Sequence, residues 1–137
     1  MLNFTFSELV HSDTAARYNI NNMPDLKASD NLLKLIHYCL QPLRTKSGIP
    51  MVITSGYRCP QLNKRIGGST TSHHCLGCAA DFHFVGKSIA WGIDFIRKSG
   101  VPFTQLIDEE NWIHISYVES NLKKEVLKYR NGTYSKM

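Results

Sequence analysis

Apolar residues at helical intervals dominate residues 25–46: Leu26, Leu32, Leu33, Ile36, Cys39, Leu40 and Leu43 predict the principal helix of the chain. Ser29 or Asp30 can cap its stronger half, Pro42 is expected to kink or fray its end, and Gly48 with Pro50 closes it. A second amphipathic run spans Lys87 to Ser99, with Ile89, Ala90, Ile93 and Ile96 as its main stripe and Gly100 and Pro102 ending it. Trp91 and Phe95 form an i,i+4 pair off that stripe, so this helix is expected to be covered on two sides. Cys59 to Ile66 predicts one shorter helix, with Pro60 in its first turn.

Between the helices the period changes to two. Met51 to Thr54 and Phe103 to Ile107 read as short strands. In Ala79–Val85 the positions Ala80, Phe82 and Phe84 share one face while Ala79, Asp81 and His83 share the other. In Trp112–Tyr117, Ile113, Ile115 and Tyr117 share the apolar face, and Trp112, His114 and Ser116 the opposite one. Asp81 and His114 are therefore expected to point away from the core into an open setting. Residues 122–128 read as helical or extended, and Asn131-Gly132 is a hairpin signal. Residues 1–24 have only short apolar groups, with a turn of helix expected over 13–18, and read as a strap over the main body.

Neither repeat nor low-complexity linker divides the 137 residues, which suit one domain, 1–137, carrying the strap and a C-terminal extension from 118. Hydrophobic content of 42% and charged content of 20% exclude a disordered or fibrous class. Sixteen Lys and Arg against 11 Asp and Glu favour an anionic partner. The basic residues are scattered and not interleaved with aromatics, which argues against nucleic acid. No apolar run is long enough for a membrane span, and Glu8 interrupts any secretory signal. The chain is thus expected to be made in the cytoplasm and to work elsewhere only after release or export by another route.

Chemistry concentrates between Ser55 and Asp81. His74 stands seven positions before Asp81, and together with His114 these side chains make a three-ligand metal set. Three protein ligands leave a tetrahedral Zn²⁺ one open position, the mark of a catalytic site. A buried, unpaired Asp81 would be costly, whereas one bound to a cation is not. The rival reading is a zinc–thiolate module built on Cys59, Cys75 and Cys78. His11, His37 and His83 read as structural.

The combined pattern is Ser55-Gly56-Tyr57-Arg58, Gly67-Gly68, Ser72-x-His74-x-x-Gly77-x-Ala79-x-Asp81, Gln105-Leu106-Ile107-x-Glu109 and Trp112-x-His114-x-Ser116. It resembles the zinc D-Ala-D-Ala carboxypeptidases of the hedgehog and DD-peptidase superfamily, in their short bacterial and phage-borne branch. The resemblance covers about Phe6 to Tyr117, extending at most to Tyr134, and implies an α+β domain, a small antiparallel sheet with flanking helices, holding one Zn²⁺ per chain through His74, Asp81 and His114. It implies hydrolysis of peptide bonds in peptidoglycan stem peptides by metal-activated water, in lysis or wall remodelling. Arg58 resembles the family's substrate arginine, and Ser72 the residue that positions substrate beside the metal. Other relatives carry the general base three positions before the last His, which here is Asn111; the Gln-Leu-Ile-x-Glu branch instead matches Glu109, with Asp108 and Glu110 as reserves.

Trp112 is expected either to stack beside His114 and limit water or to serve as wall packing. Arg58 can alternatively brace the Ser55-Gly56 turn, and Glu109 can be a solvated hairpin residue. A domain that binds metal and wall peptide without cleaving it stays open, as does the thiolate module.

Overall fold

The computed structural model describes residues 2–137. A six-stranded sheet runs in the order β1-β2-β4-β3-β5-β6, with β1 Met51–Ser55, β2 Ala79–Phe84, β3 Gln105–Asp108, β4 Ile113–Ser116, β5 Glu125–Arg130 and β6 Thr133–Lys136. All neighbours are antiparallel except β3 and β5, so the antiparallel expectation needs this one amendment. The alternation read from the sequence is realised: Phe82, Phe84, Leu106, Ile113 and Ile115 are fully or almost fully buried in the core.

Against the core face lies the principal helix, α3 (Leu26–Leu35), continuing through a π-helical turn at Ile36–Leu40 into α4 (Gln41–Ser47). Its cap is Asp25, whose side chain accepts from the Ala28 amide, rather than Ser29 or Asp30; Asp30 instead pairs with Lys34 one turn on. Pro42 does not fray the end. The wider turn just before it accommodates the missing amide and the ring's conflict with the preceding carbonyls, and the helix runs on to Ser47. Leu26 is exposed, while Leu35, off the sequence-derived stripe, is wholly buried.

Helix α6 (Ile89–Ser99) crosses β2, β4 and β3. It sits so close that a Cβ on Gly92 would collide with Ile113 and Phe84. Ile93 and Ile96 enter the core; Ala90 is exposed, and Trp91 and Phe95 stack at 5.2 Å over Phe84 on the second side. Helix α5 (Pro60–Arg65) is the predicted short helix. Among the described residues no helix is long and apolar enough to cross a membrane.

The N-terminal residues form α1 (Phe6–Val10) and α2 (Asp13–Arg17), each with a side-chain cap. They are fastened to the loop after β1. The Tyr57 amide donates to Leu9 O at 2.7 Å, and Asn22 donates to Val10 O and Tyr57 O while accepting from the Cys59 amide. That loop carries Arg58. At the other end of the chain, Asn131 and Gly132 both have positive φ and turn β5 into β6, as the Asn-Gly pair predicts.

Candidate metal centre

The face of the sheet opposite the core carries the polar positions of the alternation. Asp81 and His114 are cross-strand partners on β2 and β4, and Ile107 of β3 is the next in register. His74 comes from elsewhere, on a 3-10 turn (His73–Leu76) whose position has two local causes. Ser72 Oγ accepts from the His74 amide and so caps the turn. Gly77 then ends it with φ of 76°, against the Ala28 carbonyl where no side chain fits.

These three side chains converge. One ligand atom from each of His74, Asp81 and His114 lies within 4.8 Å of the others, and this is the one such group among the described residues. Cys59, Cys75 and Cys78 do not assemble a thiolate site: Cys59 caps α5 by accepting from the Leu62 amide, and Cys78 contacts Leu76 O. Cys39 is buried and donates to Pro102 O; burial pushes its thiol up to about 12.

The donor atoms are pre-aimed. His74 Nδ1 lies 2.7 Å from the Gly56 carbonyl, which can only accept, so this nitrogen carries the proton and Nε2 presents a lone pair. That Nε2 is buried without a hydrogen-bond partner; it stands 3.3 Å from Asp81 Oδ1, close but not aligned for a bond. His114 Nδ1 approaches the same oxygen at 2.9 Å. Two imidazole nitrogens and a carboxylate around one point need positive charge between them. The orphaned Nε2 lone pair and the two-nitrogen, one-oxygen donor set fit Zn²⁺, with a further position free.

The second carboxylate oxygen is held by Arg58, whose Nη2 reaches Asp81 Oδ2 at 3.4 Å. Its Nε and Nη1 donate to Ser55 Oγ and Asn63 Oδ1, so Arg58 does brace the turn after β1. The same guanidinium lines the cleft and has more N–H groups than these partners use. Burial alone would raise the Asp81 carboxyl, but its hydrogen bond with His114 and the close approach of the His74 ring outweigh it and hold it well below the usual carboxylate range.

The open setting expected for these groups is not what the fold provides. Asp81 and His114 side chains are only 8% and 12% exposed, because Arg58 and the neighbouring ring of His74 cover them from loops that strand alternation does not describe. The ring paired with His114 is His74, edge-on at 5.1 Å, and not Trp112, which stands 37% exposed in the cleft wall.

Above the cluster opens a cleft of about 810 Å³. Ser72, Trp112 and Glu109 line it, and the three neighbouring acids separate by position. Asp108 is buried on the other side of β3 in an ion pair with Arg130 at 3.0 Å. Glu110 is exposed and turned toward Arg130 Nε at 3.5 Å. Glu109, which has no ion pair among the described residues, lines the cleft; burial raises its carboxyl, with Asp81 and Asp108 adding to the rise and His114 and Arg58 opposing it.

Sequence reasoning missed part of the wall. Lys123, Leu127, Tyr129 and Tyr134 line the cleft from the C-terminal extension. The available signal was the placement of Tyr129 and Tyr134 symmetrically about Asn131-Gly132, which makes them a cross-strand pair.

A model of the peptidase M15 family matches residues 2–116, which include all three clustered side chains, Arg58 and Glu109. No curated protein matches the chain.

Proposed function

The chain belongs to the peptidase M15 family, and from that premise we propose that it is a zinc-dependent peptidase hydrolysing peptide bonds in peptidoglycan stem peptides. The observation that carries this reading is the convergence of His74, Asp81 and His114 at the floor of a cleft whose wall holds the unpaired carboxylate of Glu109.

Zn²⁺ held by these three residues would act as a Lewis acid and lower the pKa of water toward ~7. Gly56 and Arg58 keep two of the donor side chains oriented, His74 through Nδ1 and Asp81 through Oδ2. Glu109 takes the proton of the attacking water and delivers it to the leaving amine. Its carboxyl, raised by burial, is a stronger base than an ordinary glutamate and so better suited to take that proton. The donors of Arg58 not engaged by Ser55, Asn63 and Asp81 face the developing negative charge on the scissile carbonyl. Ser72, on the rim beside the cluster, positions the substrate chain, and Trp112 forms the facing wall. We place the action at the cell wall, reached through lysis or an export route.

Incubation of the zinc-loaded protein with purified peptidoglycan tests the reading. New amino groups are expected, abolished by chelation and restored by zinc, and mass spectrometry of the muropeptides then separates carboxypeptidase from endopeptidase cleavage. Binding to the wall without release of amino groups would overturn the peptidase reading in favour of a metal- and peptide-binding domain.

A further inference from the structure

The family match ends at residue 116, yet the cleft does not. Strand β5 runs parallel to β3 with Gln105 opposite Glu125 and Ile107 opposite Leu127, so the face of β3 that bears Gln105, Ile107 and Glu109 continues onto β5. By that register Tyr129 lies level with Glu109, and Lys123 lies beyond the Gln105 end. Tyr134 on β6 is the cross-strand partner of Tyr129, with ring centroids 4.7 Å apart.

Tyr134 is 55% exposed, on an edge strand, and still borders the cleft. Lys123 is held more loosely than Arg58, by a single long ion pair on a half-exposed side chain. Its nearest acid is Glu125 at 3.6 Å, and Gln105 already binds the same oxygen at 2.7 Å.

We propose that this C-terminal segment is the specificity wall of the cleft: Tyr134, backed by Tyr129, packs on the bound peptide at the Glu109 end, and Lys123 pairs with a substrate carboxylate at the Gln105 end. The substrate class is thus an acidic peptide. The inference rests on the peptidase reading for its choice of peptide but acts through binding. An exposed aromatic on an edge strand adds little to folding, whereas ring packing on a ligand adds affinity.

The test uses calorimetric binding to zinc-loaded E109Q, which holds peptide without turning it over. The probes are the stem pentapeptide L-Ala-γ-D-Glu-L-Lys-D-Ala-D-Ala and the same peptide with both carboxylates amidated. Adding Tyr134→Ala is expected to weaken both about tenfold, and Tyr134→Phe to restore them. Adding Lys123→Gln is expected to weaken only the acid form, by about threefold. Zinc content and the thermal midpoint should not move. Unchanged affinity in either variant removes that contact from the proposal, and unchanged affinity in both overturns it. Turnover by the chain with Glu109 intact, read as new amino groups from the pentapeptide or from purified peptidoglycan, is scored separately. Turnover with binding indifferent to both substitutions sinks this inference alone. Tyr134-dependent binding without turnover sinks the peptidase reading alone, and absence of both binding and turnover sinks the two together.

Discussion

His74 and Asp81 meet with a lone pair facing a carboxylate: Nε2 of the ring is buried, lacks a hydrogen-bond donor, and stands 3.3 Å from Oδ1. The Gly56 carbonyl enforces this by occupying the other ring nitrogen. Such a contact is unfavourable until a cation sits between the two groups, so the site is built for a charge that the protein itself does not supply.

The first prediction concerns metal retention. His74→Ala and Asp81→Asn are each expected to weaken Zn²⁺ binding by at least about 100-fold, read by competition with a chromogenic chelator. Stoichiometric zinc in His74→Ala at wild-type affinity would contradict the assignment.

Arg58 tests orientation. Arg58→Gln removes the hold on Asp81 Oδ2 and on Ser55 and Asn63. Zinc affinity is expected to drop about tenfold and turnover further, because the proposed mechanism also uses this group on the scissile carbonyl. If zinc affinity is unchanged, Arg58 does not orient the ligand.

Glu109 and its neighbours should part company. Glu109→Gln is expected to keep zinc and lose roughly 10²–10⁴ in turnover, while Glu110→Gln keeps activity. Asp108→Asn is expected to lower the thermal midpoint, because it breaks the buried pair with Arg130. Activity surviving in Glu109→Gln and vanishing in Glu110→Gln would move the base by one residue.

The raised carboxyl of Glu109 also has a consequence for stability. A group whose folded pKa lies above its unfolded value favours folding below the unfolded value, and that contribution is lost as pH rises through the folded value. In the metal-free protein, Glu109→Gln escapes the loss. Its thermal midpoint is therefore expected to rise above that of the parent as pH goes from about 4 to 7, the gap opening with pH. A gap that shrinks over that range would mean Glu109 gains a favourable partner on folding.

Thiol chemistry should follow burial. Cys39, wholly buried, with its thiol pushed up to about 12, is expected to resist alkylation in the native protein; Cys75, partly exposed, should react first. Peptide mapping after iodoacetamide treatment reads the order directly.

Much of this was legible in the chain. The period-two stretches at 79–85 and 112–117 told which side of each strand Asp81 and His114 occupy, and Asn131-Gly132 marked the final hairpin. The helix around Pro42 was read correctly in extent but not in detail, because a proline's effect depends on whether the preceding turn can widen, as it does at Ile36–Leu40. The acids at 108–110 were indistinguishable as composition. Arg130, 22 positions beyond Asp108, removed that residue from contention.

Taken alone, the sequence determined the periodicities, the ligand types and the turn chemistry, since these are local properties carried by neighbouring residues. The tertiary structure decided which groups share a space: Gly56 behind His74, Arg58 on Asp81, and the hairpin of Tyr129 and Tyr134 against the cleft. Alternation specifies the face on which a side chain stands but not the strand or loop that will lie beside it; that choice is made by the collective burial of the whole core.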